Sequence, residues 1–501
     1  MEVQKKYKHQ ILFHLLLNSI VSLFITLSCY YHIPVYKFKD FSFYAIHFIV
    51  LQFSVFGILY FLSLNKYIFK IVFPVLFLGF AAIAFWIYTL DIAISGNIVQ
   101  ISLETKPDIV VDLISIPLII YMLLAVLSLI LIFRFYTKLT FNSIKSPLTI
   151  IAILGISGYF LVENYKYGTF KRKMPYNVVA AVKEYQKQNT IVLKSIDTEI
   201  TSNADDLSVV FILGESVRAD HLQLNGYHRE TTPLLAKRNN IISFPNAYTP
   251  LTYTAISVPQ ILSNASLTDD YSEAKYSLIE ILNKAKIQTI WIGNQTPEKS
   301  FNPFIQQSDF STIIDPFHSE LSFQKSFDEN LLPDFKKVFS SNKNQFTVLH
   351  MMGSHWWYET RYPDNFRKFK PVIKSKHVNS NSKEEMINSY DNTLLYLDYF
   401  INETIKHVEA QNSNSIVIYL SDHGEILGEN NLWLHAQSHK SSENPGMLIW
   451  FSEKFKQNNE ALISRLQSHQ NKTIPLDFFF PSILELYKIE GIPYDKQKVI
   501  F

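Results

Sequence analysis

Five apolar segments crowd into the first third of the chain: Ile11–Tyr31, Phe41–Leu64, Ile71–Leu90, Ile109–Phe133 and Leu148–Val162. All but the last, near fifteen residues, run to about twenty residues or more, the length of helix that crosses a hydrocarbon core. A bilayer offers no water to unpaired backbone groups, so such segments fold as helices or not at all. The chain is therefore expected to open with a membrane domain of about five helices over residues 1–163. The first segment does not read as a cleaved signal peptide, because no small-residue cleavage site follows it and further spans do.

Basic residues orient these segments. Lys5, Lys6 and Lys8 precede the first, Lys66 and Lys70 separate the second and third, and Arg134, Lys138 and Lys145 separate the fourth and fifth. The loop Asp91–Asp108 carries Asp91, Glu104 and Asp108 against Lys106 alone. The positive-inside rule then places the N-terminus in the cytoplasm and, after five spans, the rest of the chain outside. Lys37 and Lys39, and the run Lys166, Lys171, Arg172 and Lys173, run against the rule. Long domains translocate largely regardless of charge, and such residues can rest on lipid headgroups.

At 501 residues the chain is too long for one ordinary domain. A net charge of +2 gives no electrostatic footprint for nucleic acid. Cys29, the single cysteine, lies within an apolar segment, which excludes internal disulfides and cysteine-based metal sites. Residues 164–206 read as a bridge: Val178, Val179, Val182 and Tyr185 share one face of a helix over Pro175–Lys187, and a polar run, Thr201–Asp206, follows.

From Leu207 short apolar runs alternate with amphipathic helices, the pattern of an α/β sheet, so residues 207–501 are expected to form one soluble domain. Four candidate strands end near small residues accompanied by polar ones. Ser208–Leu213 meets Gly214, Glu215 and Ser216; Lys286–Ile292 meets Gly293, Asn294 and Gln295; Phe346–His350 leads to Gly353, Ser354 and His355. Ser415–Leu420 runs into Asp422, His423, Gly424 and Glu425. Ligands of open α/β sheets gather at the carboxyl ends of strands, so these ends can converge. Asp422 and His423 supply one hard oxygen and one imidazole nitrogen, a pairing that suits zinc or manganese, and Glu215 is a candidate third ligand. Between sheet elements, the hydroxyl-rich stretch Pro250–Ser263 offers Thr252, Thr254 and Ser257 as nucleophiles, each needing a metal or base to draw off its proton. Pro259 sits awkwardly for a helix that begins at Thr254.

Taken in order behind the membrane region, these stretches resemble the phosphoethanolamine transferases that modify lipopolysaccharide, members of the alkaline phosphatase and sulfatase-like superfamily. The matching stretches are GESVRADHLQLNGYHRETTP from Gly214, TAISVP from Thr254, HMMGSH from His350, RYP from Arg361, SYDNT from Ser389, SDHGE from Ser421 and LH at Leu434. The resemblance implies a mixed sheet flanked by helices, and zinc held by Glu215, Thr254, Asp422 and His423. Thr254 would be the nucleophile that becomes phosphoethanolamine-modified. His355, His435, Lys299 and Asn294 would line the substrate site, the two histidines matching residues that bind substrate or a second zinc. Glu425 would support the ligands, and His350 would be structural. The implied donor is phosphatidylethanolamine, and the implied acceptor a lipid A phosphate or a core sugar. The implied setting is the bacterial inner membrane with a periplasmic catalytic domain, and the implied consequence is resistance to cationic peptides such as polymyxin.

The chain departs from that family where Leu251 and Gln260 stand in place of frequent cysteines, where Trp356 and Trp357 replace Gly-Pro after GSH, and at Ala436 and Ser438–Glu443. Within the superfamily a phosphoglycerol transferase resembling lipoteichoic acid synthase, or a hydrolase with a phosphothreonine intermediate, are the alternative readings. A sulfatase needs a Cys or Ser in C/S-x-P-x-R. A membrane-anchored metal-binding sensor is the non-enzymatic alternative. A transporter would carry paired intramembrane charges, whereas these segments hold little beyond Asp112.

Overall fold

The computed structural model describes residues 2–31, 33, 35, 37–90, 94–96, 98–99, 115–139, 144, 146–165, 168–187, 191–316, 325–339, 343–375 and 378–501. Asp91, Glu104, Lys106, Asp108, Asp112, Lys145 and Lys166 lie outside the described residues. The chain divides into two compact units, one of residues 1–187 and the other of residues 188–316 and 324–501.

The first unit is helical: α1 Glu2–Phe24, α2 Phe38–Leu64, α3 Lys66–Leu90, α4 Ile116–Thr137, α5 Leu148–Tyr165 and α6 Tyr176–Lys187. Among the described residues four helices are long and apolar enough to cross a membrane: Phe38–Leu64, Lys66–Thr89, Ile116–Thr137 and Leu148–Tyr165. The first of the five expected spans is not among them. The first expected span ends as a helix at Phe24 and continues as a 3-10 turn, Thr26–Tyr30. Its uninterrupted apolar helix, from Ile11 to Phe24, covers only about 21 Å at 1.5 Å per residue. The last expected span, near fifteen residues in the sequence, forms a helix that runs on to Tyr165. Helix α4 starts where its sequence provides a cap: the Ser115 hydroxyl accepts from Leu118 N, and Pro117 sits in the first turn. Helices α2 and α5 pack backbone to backbone. A methyl placed on Gly57 would come within 2.6 Å of the Ala152 carbonyl, so only glycine permits that approach.

The second unit is built on a seven-stranded mixed sheet. Its strands are β1 Leu207–Gly214, β2 Ile241–Ser243, β3 Gln288–Gly293, β4 Phe310–Ile313, β5 Gln345–His350, β6 Asn414–Ser421 and β7 Met447–Phe451. They lie in the order β2-β7-β6-β1-β5-β3-β4. Strands β6, β1, β5, β3 and β4 are parallel; β7 runs antiparallel to β6 and to β2. The central strand β1 is buried along its whole length, as a run of apolar residues with no alternation requires. One apolar cluster covers each face. Leu213, Trp291, Val348, Leu420 and Val258 share one, and Ile212, Ile292, Leu349 and Val417 share the other. Register sets Leu213 opposite His350 and Gly214 opposite Ser421, so the ends of β5, β1 and β6 emerge side by side.

Candidate metal centre

Glu215, Asp422 and His423 leave the ends of β1 and β6 and meet, each fully buried. One ligand atom from each lies within 4.8 Å of the others. His423 Nε2 is 3.3 Å from Glu215 Oε1 and 3.4 Å from Asp422 Oδ2. The other imidazole nitrogen, Nδ1, is 2.8 Å from the Gly424 carbonyl. A carbonyl accepts only, so Nδ1 carries the hydrogen and Nε2 presents its lone pair to two carboxylates. Burial pushes the His423 imidazole down to about 4, which keeps it neutral. Burial, and then Glu215, raise the Asp422 carboxyl well above its ordinary range. Among the described residues, Asp422 Oδ2 and His423 Nε2 have no hydrogen-bond partner. Two buried atoms without a partner, Asp422 Oδ2 and His423 Nε2, set beside the Glu215 carboxylate are a poor arrangement for a protein alone and a good one for a divalent cation. Two carboxylates and an imidazole are a donor set that fits zinc or manganese.

Thr254 completes the constellation. It is the first residue of the helix α7, Thr254–Ile261, which holds Pro259 within it. Its hydroxyl donates to Glu215 Oε2 at 2.7 Å. Of the other candidate hydroxyls, Ser257 Oγ is buried with no hydrogen-bond partner among the described residues. Glu215 Oε2 also accepts from Gln295 Nε2 at 3.0 Å, and that amide donates to the Met351 carbonyl at 3.0 Å. Glu215 Oε1 takes the Ser216 hydroxyl at 2.6 Å.

Two further imidazoles join the cluster. The His435 ring lies 4.7 Å from His423 and 5.2 Å from His355, centroid to centroid. His435 Nδ1 is 3.0 Å from Glu425 Oε2, and Glu425 Oε1 accepts the Tyr358 hydroxyl at 2.6 Å. His355 Nδ1 is 2.6 Å from the Trp356 carbonyl. Both rings are thus gripped at Nδ1, one by a carboxylate and one by a carbonyl. Glu425 is fully buried behind this group.

Asn294 does other work. Its amide donates to the Ser326 carbonyl at 2.7 Å and to Asp328 Oδ1 at 2.9 Å. Asp328 in turn accepts from Met352 N and Gly353 N, shaping the loop that carries His355. Gln295, unassigned in the sequence, is the neighbour that touches Glu215. The strand ends at Gly293, so its alternation does not extend to Gln295 and the sequence carries no signal for this contact. Lys299 stands half-buried in the following turn. His350 is fully buried, edge-on to Trp291 and Phe301.

Comparison with known proteins agrees with this geometry. Residues 208–489 match the family described as Sulfatase, and residues 52–189 match the one described as phosphoethanolamine transferase EptA/EptB. The phosphoethanolamine transferase EptA of Escherichia coli K12 is 31% identical over 293 residues, covering 56% of this chain and 53% of the relative. Mcr-2 of Escherichia coli, named a phosphatidylethanolamine transferase, is 34% identical over 253 residues, 48% of this chain and 47% of the relative. The chain spans about half the length of the curated relatives it matches. Among solved structures, the soluble domain of lipooligosaccharide phosphoethanolamine transferase A from Neisseria meningitidis superposes with a TM-score of 0.56 at 31% identity. That match covers 62% of this chain and 97% of the solved one. The C-terminal periplasmic domain of EptC from Escherichia coli, in a complex with Zn, gives 0.53 at 25% identity, covering 62% of this chain and 90% of that one. The chain belongs to the sulfatase family, with an N-terminal region of the EptA/EptB phosphoethanolamine transferase type.

Proposed function

We propose that this protein transfers phosphoethanolamine from phosphatidylethanolamine to a lipopolysaccharide acceptor, lipid A phosphate or core sugar, through a phosphorylated Thr254. The observation that carries the reading is the Thr254 hydroxyl pointed at Glu215 inside the Glu215–Asp422–His423 cluster. The names of EptA and Mcr-2 support the reaction class and the donor.

Glu215, Asp422, His423 and Thr254 would hold a divalent cation, zinc by analogy with the Zn complex of the EptC domain. Such an ion would supply Lewis-acid stabilisation of the deprotonated hydroxyl and of the phosphoryl oxygens. Glu215 orients the Thr254 oxygen and is placed to receive its proton. In the first half-reaction the Thr254 Oγ–P bond forms as the bond from phosphorus to the diacylglycerol oxygen breaks. That oxygen takes up a proton and leaves as diacylglycerol. In the second, an acceptor oxygen forms the new bond to phosphorus, and Thr254 Oγ departs and regains its proton. His355 and His435 stand at the cluster where both the leaving and the attacking oxygen must pass, and they serve as proton carriers.

The soluble unit would face the periplasm, as the name of the EptC domain supports, with donor and acceptor both reached from the inner membrane. A cytoplasmic N-terminus belongs to the same proposal and requires α1 to cross the membrane along with the four apolar helices. Transfer from headgroup-labelled phosphatidylethanolamine to purified lipopolysaccharide, by the full chain and by Thr254→Ala, tests the reading. Equal transfer by both would overturn it.

A further inference from the structure

The residues that link β5 to His355 form no helix or strand, so their backbone groups need partners from outside any ladder. Two buried charged side chains supply them from opposite ends. At the start of the loop Asp328 accepts from Met352 N at 2.8 Å and from Gly353 N at 2.9 Å. At its end Arg361, 3% exposed, donates through Nε to the His355 carbonyl at 2.9 Å and through Nη2 to the Trp356 carbonyl at 3.0 Å. Between them Ser354 N donates to the Glu215 carbonyl at 2.9 Å, which ties the loop to the strand end that supplies the centre.

The Trp356 carbonyl has a second donor. His355 Nδ1 is 2.6 Å from it, so the carbonyl that orients the imidazole is itself placed by the guanidinium. A carbonyl accepts only, so Nδ1 carries the hydrogen and Nε2 keeps its lone pair for a travelling proton. The ring belongs to the centre. It lies 5.2 Å from His435, and Glu215 is near enough for its charge to oppose the effect of burial, which pushes the imidazole down to about 3. A planar fork holds two acceptors in one fixed geometry, which the ammonium of a lysine cannot do.

Building on the transferase reading, we propose that Arg361 is a positioning residue: by fixing the His355 and Trp356 carbonyls it sets the place of the His355 imidazole for proton transfer at the Thr254 centre. The competing role is purely structural, in which Arg361 only ties the loop into the second unit. A double-mutant cycle with His355 separates the two, since a group that acts through the imidazole has nothing to act on once the imidazole is gone.

The experiment uses the full chain in detergent, headgroup-labelled phosphatidylethanolamine as donor and purified lipopolysaccharide as acceptor. Arg361→Gln is expected to lower kcat about 10- to 100-fold with KM little changed, the size of effect that a displaced catalytic group produces. Arg361→Lys, which keeps the charge without the fork, should fall between. In the His355→Ala background, followed over hours so that slow transfer is readable, Arg361→Gln should cause no further loss. Metal affinity in a chelator competition should stay at the unsubstituted value. A loss of the same size in both backgrounds, no loss from either single substitution, or weakened metal binding overturns the positioning role and leaves the transferase reading intact. Failure of both Arg361 variants to fold would make Arg361 a structural residue and overturn it equally. Absence of transfer by the unsubstituted chain overturns both readings.

Discussion

The Thr254 hydroxyl and the Glu215 carboxylate are joined by a 2.7 Å hydrogen bond at the carboxyl edge of the central strand. Gln295 and Ser216 hold Glu215 in place, and the ends of β1 and β6 bring Asp422 and His423 to it. The contact links a helix start with a strand end, and it makes the position of the carboxylate the quantity on which the chemistry depends.

Gln295 is one of the groups that set that position, through its paired bonds to Glu215 Oε2 and the Met351 carbonyl. Groups that orient a metal ligand typically contribute a factor of about 10 to 100 in metal affinity. Gln295→Leu should weaken metal binding by that order in a chelator competition, with the unfolding midpoint of the metal-free chain little changed.

Removing the cation should destabilise the second unit. Asp422 Oδ2 and His423 Nε2 are then left without a hydrogen-bond partner among the described residues, beside the buried Glu215 carboxylate. At a free zinc concentration about 100 times the dissociation constant, binding adds roughly 2.7 kcal/mol to folded stability. Five of the six tryptophans lie beyond residue 290, so intrinsic fluorescence follows this unit during thermal unfolding. The midpoint should fall on chelation, recover on adding zinc, and recover less in Asp422→Asn.

His350 should make stability depend on pH. Burial holds its imidazole down to about 3, whereas in the unfolded chain it titrates near 6.5. Below pH ~6.5 the unfolded chain binds more protons, so stability is complete above that pH and is lost as pH falls toward 3. His350→Leu should flatten the unfolding free energy across that window by up to about 1.4 kcal/mol per pH unit. An unchanged slope in that variant would assign the dependence to other groups.

Gly353 sits at φ +55°, and a methyl there would lie 2.7 Å from the Glu215 carbonyl. Gly353→Ala should therefore cost on the order of 1–3 kcal/mol. Because the displaced neighbour is the backbone of a ligand, metal affinity should fall with it. A variant that kept full stability and affinity would show that the loop can yield.

Much of this was legible in the sequence, for physical reasons. The runs SVVFIL and SIVIYL are apolar without alternation, which is how strands buried on both faces read, and their polar ends are where such strands deliver side chains. The short edge strands Ile241–Ser243 and Phe310–Ile313 and the antiparallel Met447–Phe451 carry no comparable signal, since three to five residues define no period. The contact of Gln295 with Glu215 was not legible, because the strand ends at Gly293 and its alternation does not reach the bend that holds Asn294 and Gln295. The first apolar segment was counted as a span because its total length suffices, while its apolar helix stops at Phe24.

In the proposed reaction Thr254 carries the transferred group. Mass spectrometry of the full chain, incubated with phosphatidylethanolamine alone and digested, tests it most directly. One phosphoethanolamine is expected on the peptide containing Thr254, lost when acceptor is added and absent from Thr254→Ala. An adduct on Thr252 or Ser257, or none with donor present, would contradict it.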